Sequence, residues 1–111
     1  MTRTGNVTAI DAERVAALAK ALAHPARVQI VELLASQCEC RGADVFAELP
    51  LAQSTVSQHL RVLKEAGIVA ASPAGTSMVY CLDPAALSEL GAIVATFCRD
   101  AEFCSAKGGC R

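Results

Sequence analysis

Residues 97 to 111 read FCRDAEFCSAKGGCR, which spaces Cys98, Cys104 and Cys110 six and six apart. Thiolates are soft donors, suited to As(III), Sb(III) or soft divalent cations such as Cd²⁺ and Pb²⁺. Three of them without a nearby fourth ligand favour a trigonal pyramidal As(III) or Sb(III), because tetrahedral Zn²⁺ would want another. On an ideal helix, six residues turn through about 600° and rise about 9 Å, so Cys98 and Cys104 would lie on different faces. The sequence therefore predicts that residues 98–111 leave helical geometry, with Gly108-Gly109 as the hinge that lets the three thiols converge.

A second donor set is Cys38 and Cys40. In an extended segment the two point to the same side. The Cys81 thiol alone reads as structural burial. The tail is the first choice for a soft-ion site and the 38/40 pair the second. The same thiols could instead oxidise in pairs, although grouping in threes fits a three-coordinate ligand better.

The chain has 111 residues, 53% of them hydrophobic, and a formal charge of −1. This length suits one domain with a modest core. Trp is absent and there are one Tyr and three Phe, so Ala, Val, Leu and Ile must fill the interior. Near-neutral charge argues against binding a polyanion by bulk attraction and leaves the matter to local charge placement. No apolar signal core opens the chain and no later run is long enough to span a membrane, so a cytoplasmic protein with reduced thiols is expected.

Residues 1–7 read as a loose arm. Thr8-Ala-Ile-Asp11 has the form of a helix start, followed by Val15, Leu18 and Leu22 at helical spacing. His24-Pro25 ends that helix and opens another, with Val28, Ile30, Val31 and Leu34 on its apolar face. Residues 42–49 suit a short helix, Pro50-Leu51 a turn, and the next stretch a longer helix closed by Gly67. Two helices joined by a tight turn form a helix-turn-helix. IVAASPAGTSMVYCL predicts a hairpin, and Asp83-Pro84 opens a last helix. Its Leu87, Leu90, Ile93, Val94 and Phe97 make a stripe that suits a dimer seam with the first helix.

From Leu51 to Lys64 there is no acid, although acids outnumber bases overall. In the longer helix Val56, Leu60 and Leu63 face the core. Gln53, Ser54, Thr55, Ser57, Gln58, Arg61 and Lys64 remain for a ligand. Such side chains near a helix N-terminus hydrogen-bond phosphates and base edges in a DNA major groove.

ALAHPARVQIVELL, then LAQSTVSQHLRVLKEAGIV, then the hairpin, resembles the ArsR family of winged-helix metalloregulatory repressors over roughly residues 12–97. The resemblance implies a mainly α fold with a small β-hairpin wing, a winged helix-turn-helix domain over 8–97 and a homodimer. It also implies that double-stranded operator DNA is bound without inducer and released with it, residues 53–64 being the recognition helix. His59 is then a packing or phosphate-contacting residue. Family zinc sites use His and carboxylates on the last helix, which has no His here. The Cys-x-Cys of arsenic-sensing relatives falls on Arg41 and Ala43, so that site does not carry over. Ala52 stands where relatives often have Ser, and SPAGTS lacks the wing's usual Arg or Lys. No enzyme is expected: a phosphatase-type loop needs Cys five residues before Arg, whereas Cys104 is followed by Cys110 and then Arg111.

Overall fold

The computed structural model describes residues 5–37 and 40–108. Its elements are α1 (Gly5–Leu22), α2 (Pro25–Gln37), β1 (Cys40–Arg41), α3 (Gly42–Glu48), α4 (Gln53–Glu65), β2 (Val69–Ala74), β3 (Ser77–Leu82) and α5 (Pro84–Ala106). The fold is mostly helical, with an antiparallel hairpin as wing.

The interior is aliphatic, as the scarcity of aromatics requires. Leu18 of α1, Ile30 and Leu34 of α2, Val45 of α3, Val56, Leu60 and Leu63 of α4, and Ile68 form the fully buried centre. Every helix from α1 to α4 contributes to this one cluster. Helix α4 is therefore held by burial from its inner face, and its outer face is left to polar residues.

Both ends of α4 follow from local chemistry. Ala52 is the N-cap, with extended backbone and no side-chain hydrogen bond to the first turn. At the other end Gly67 has φ +84, the Gly67 N–H donates to the Lys64 carbonyl, and the Ile68 N–H donates to the Leu63 carbonyl, both at 3.0 Å. This is a complete Schellman closure with Ile68 and Leu63 as its apolar contact, and it needs the left-handed backbone that glycine supplies. Arg14 adds to it from α1, donating Nη1 to the Ala66 carbonyl at 3.2 Å and Nε to Glu89 of α5 at 3.1 Å. One side chain thus ties the end of α4 to both helices of the expected dimer seam.

The missing cap sets a first prediction. Ala52→Ser should stabilise the protein by about 1 kcal/mol, because the position already has N-cap geometry and only the accepting oxygen is absent. A melting temperature raised by roughly 4–8 °C at fixed protein concentration is expected. An unchanged or lowered value would mean that the first turn of α4 gains nothing from a side-chain cap.

The hairpin is closed by a two-residue turn at Gly75-Thr76, with Ala74 paired to Ser77 and Gly75 at φ +66. Pro73 is inside β2, opposite Met78, rather than in the turn. Strand β1 extends the hairpin into a three-stranded sheet of order β1-β3-β2, pairing Cys40 with Tyr80 and Arg41 with Val79.

Two expectations about the ends are corrected. Helix α1 begins at Gly5 instead of Thr8, since nothing between them interrupts the backbone ladder and each added residue needs only one more hydrogen bond. The more consequential correction concerns the tail. Helix α5 does not stop at Phe97 but continues through Cys98 and Cys104 to Ala106. No Gly or Pro occurs between Cys98 and Ala106, so the ladder has nothing to end it. Termination comes at Gly108, φ +76, where the Lys107 and Gly108 N–H groups donate to the Phe103, Cys104 and Ser105 carbonyls. The start of α5 is as expected: Pro84 is in the first turn and the Asp83 carboxylate accepts from the Ala85 N–H at 3.0 Å.

Candidate nucleic-acid interface

Helix α3, the turn at 49–52 and α4 form the helix-turn-helix, and α4 presents its outer face beside the wing. Gln53, Ser54, Ser57, Gln58, Arg61 and Lys64 are all exposed, and Thr55 is half-buried. These seven residues share one helix surface without a carboxylate among them. Their hydroxyls, amides and two cations can donate to phosphate oxygens, and the amides and Arg61 can also read base edges.

His59 is not part of that surface. It is 8% exposed and turned inward, where its Nδ1 accepts a hydrogen bond from Arg27 Nε at 3.1 Å. The His24 ring lies against it, with centroids 4.4 Å apart. Burial holds the His59 pKa below its usual 6.5, and His24 and the Arg27 guanidinium push it the same way. The packing role is the one the geometry supports; phosphate contact would need a side chain on the opposite face.

The wing supplies residues that the sequence alone did not single out. Met78 and Tyr80 line a cleft of about 240 Å³ together with Ser57, Arg61, Lys64 and Ala71. They also border a larger groove of about 690 Å³ between α3, Gln53 and the wing turn. Tyr80 sits between the two clefts, and a Cβ on Gly42 would come within 3.4 Å of its ring, so glycine keeps α3 close to β3. The available signal was the two-residue period of β3, which puts 78 and 80 on one face. Which face meets α4 depends on strand pairing that no local pattern encodes. The turn residues Gly75, Thr76 and Ser77 are exposed and carry no cation.

Among the described side chains the thiols are dispersed. Cys98 and Cys104 are free and exposed on the outer part of α5, while Cys81 is half-buried. Because α5 is continuous, Cys98 and Cys104 are separated by six helical positions, a rise of about 9 Å, and face different ways. Cys110 and Cys38 lie outside the described residues. Cys40 is opposite Tyr80 in the register, and Cys81 one position further on is opposite Ala70. Among the described residues no three His, Cys, Asp or Glu side chains are gathered to hold a metal.

These elements define a winged helix-turn-helix DNA-binding domain. The sequence profile of the bacterial regulatory protein, arsR family, matches residues 24–71. The biofilm growth-associated repressor of Agrobacterium fabrum is 40% identical over 92 residues, covering 82% of this chain and 78% of the relative. A solved structure described as a "Possible transcriptional regulator for arsenical resistance" superimposes with TM-score 0.66 at 38% identity, over 73% of this chain and 82% of that one. A homodimeric winged helix-turn-helix domain from Mycobacterium bovis gives TM-score 0.66 at 28% identity, over 86% and 89%. The chain belongs to the ArsR family of bacterial transcriptional regulators. It spans 65% of the length of the Mycobacterium tuberculosis regulators Rv0081 and Rv2034 that it matches. Among the described residues no helix is long and apolar enough to cross a membrane.

Proposed function

We propose that the protein is a homodimeric transcriptional repressor that binds operator DNA through α4 and releases it when As(III) or Sb(III) is captured by cysteine thiolates. The observation that carries the DNA-binding part is the exposed polar face of α4, free of acid from Gln53 to Lys64 and held from behind by Val56, Leu60 and Leu63. Dimerisation is supported by the apolar residues left uncovered on α5, where Val94 is 46% and Phe97 57% exposed. Helix α1 packs on α5, so a two-fold seam there would place one α4 on each side for successive half-sites.

The inducer part rests on the donor chemistry of the tail. Cys98, Cys104 and Cys110 fit a soft three-coordinate ion, and Cys98 directly follows the uncovered stripe at Phe97. With α5 helical through Ala106, the thiols of one chain come together only if the last turns of α5 unwind or if the partner copy supplies one of them. Either change alters the seam. Inducer binding then weakens DNA binding only as far as it favours the altered seam over the DNA-binding one. The alternative within the same fold is a repressor responding to thiol oxidation or to Cd²⁺ or Pb²⁺. Cys38 and Cys40, ahead of α3, are the second-choice ligands.

An operator-release titration separates these readings. As(III), Sb(III), Cd²⁺, Zn²⁺ and peroxide are added to protein–DNA complexes of wild type, Cys98→Ser and Cys40→Ser. Release by As(III) or Sb(III) that is lost in Cys98→Ser and kept in Cys40→Ser is expected. A full As(III) response in Cys98→Ser would overturn the tail site, and release by peroxide alone would favour the redox reading.

A further inference from the structure

Behind α4, buried His59 is grouped with half-buried Arg27 and exposed His24. His59 sits on the inner face of α4 and accepts from Arg27 Nε. The same guanidinium donates Nη1 to the Lys20 and Ala21 carbonyls at 3.3 and 3.4 Å, at the C-terminal end of α1. His24, in the turn between α1 and α2, accepts at Nδ1 from the Ala26 N–H at 3.0 Å and so closes the first turn of α2. Both imidazoles are acceptors at Nδ1, which requires each to be neutral and to carry its proton on Nε2. The groups that bear electrostatically on His59 are His24 from the turn and Arg27 from α2. Among the described residues, α1, α3 and β2, which also pack near α4, add no carboxylate that would offset them.

We infer that Arg27, His24 and His59 form a protonation-sensitive latch that seats α4 for DNA binding and releases it on acidification. A proton taken from solvent onto His59 Nδ1 removes the lone pair that Arg27 uses. It also places an imidazolium against a guanidinium and a second protonatable ring. Burial first, then the neighbouring His24 ring and the Arg27 guanidinium, hold His59 neutral while it is seated, so protons bind preferentially to the unseated or unfolded form. The latch is therefore intact above about pH 6.5, the ordinary histidine value, and weakens as pH falls below it. Arg27 and His59 act here as positioning residues, since neither lies on the outer face of α4.

The direction of the effect distinguishes the latch from ordinary electrostatics. His24 and His59 are the two histidines of the chain. If they were merely solvated, protonation would add positive charge and tighten binding to DNA. The latch demands the opposite sign. It rests on the DNA-binding reading above but is independent of the thiol site.

The test uses the full chain and a fluorescent duplex selected by the protein from a random-sequence pool at about pH 7.5, with anisotropy followed down to about pH 5.5 at constant salt. Wild-type affinity should fall by roughly tenfold over that range, and in His59→Gln the two affinities should agree to within about twofold. In parallel, ring NMR of the wild type should show His59 titrating below the ordinary histidine value of 6.5, so the latch is tested even if the variant does not fold. Binding that is unchanged or tightened on acidification overturns the proposal, as does a His59 midpoint at or above 6.5. Loss of far-UV helicity together with binding would show general acid unfolding and overturn a latch confined to the seat of α4. Failure to select any duplex at pH 7.5 would overturn the DNA-binding reading, and the NMR titration would still judge the cluster.

Discussion

Leu63→Ala should destabilise the protein by about 2–5 kcal/mol, which is a large part of the roughly 5–15 kcal/mol that a domain of this kind possesses. Leu63 is fully buried at the centre of the aliphatic cluster. Its carbonyl also accepts the Ile68 N–H that closes α4, with Ile68 itself fully buried against it. Truncation leaves a cavity lined by aliphatic side chains on several elements and loosens the apolar contact of the Schellman closure. Little can collapse into the space, because a core poor in aromatics is made of short, branched side chains held by regular helices. Urea denaturation at fixed protein concentration would show the loss as a lowered midpoint, with Lys64→Ala, the exposed neighbour, within about 0.5 kcal/mol of wild type. If Leu63→Ala lost less than the control, the single-cluster description of the core would be wrong.

Arg61→Ala should weaken operator binding by about tenfold to a hundredfold while leaving stability nearly unchanged. Arg61 is exposed on the outer face of α4 and borders the cleft that Met78 and Tyr80 share with Ser57 and Lys64. A guanidinium there can take a guanine edge bidentately or clamp one phosphate. The salt dependence of affinity separates the two. Loss of a phosphate contact reduces the slope of log affinity against log salt by about one, and loss of a base contact relaxes sequence preference with little change in slope. Gln53→Ala, at the first turn of α4, should act in the same direction by a smaller factor. Unchanged affinity in both variants would remove α4 as the reading element. Because the wing turn has no Lys or Arg to share the load, the effect at Arg61 should not be buffered by a second cation there.

Much of this architecture was legible before any coordinates. Periodicity separated the buried Val56, Leu60 and Leu63 from the exposed Gln53, Ser57, Arg61 and Lys64, because one face of an α-helix recurs every three or four residues. His24-Pro25, Gly67 and Asp83-Pro84 marked helix ends because each residue type has a specific backbone or capping role. The absent cap at Ala52 was also visible, since it depends on one side chain and its own backbone.

The tail shows where such reasoning stops. Six-residue spacing of thiols suggested convergence, which would require residues 98–106 to abandon the helix. Helix propagation is cooperative, and with no Gly or Pro before Gly108 the backbone ladder of α5 extends through both Cys98 and Cys104. Spacing alone carries no information on whether a ligand's binding energy exceeds the cost of unwinding those turns.

By itself, then, the sequence determined the order of elements, the acid-free run from Leu51 to Lys64 and the supply of thiols, all of which depend on residues close together in the chain. Tertiary structure alone decided three further matters. It turned His59 inward onto Arg27, 32 positions away in the chain. It set Tyr80 opposite Cys40, which brings β3 beside α3. And through Arg14 it joined the end of α4 to Glu89 on α5. Each of these is a contact between segments distant in sequence, and its partner is chosen by how the helices pack around the shared core, which no local pattern records.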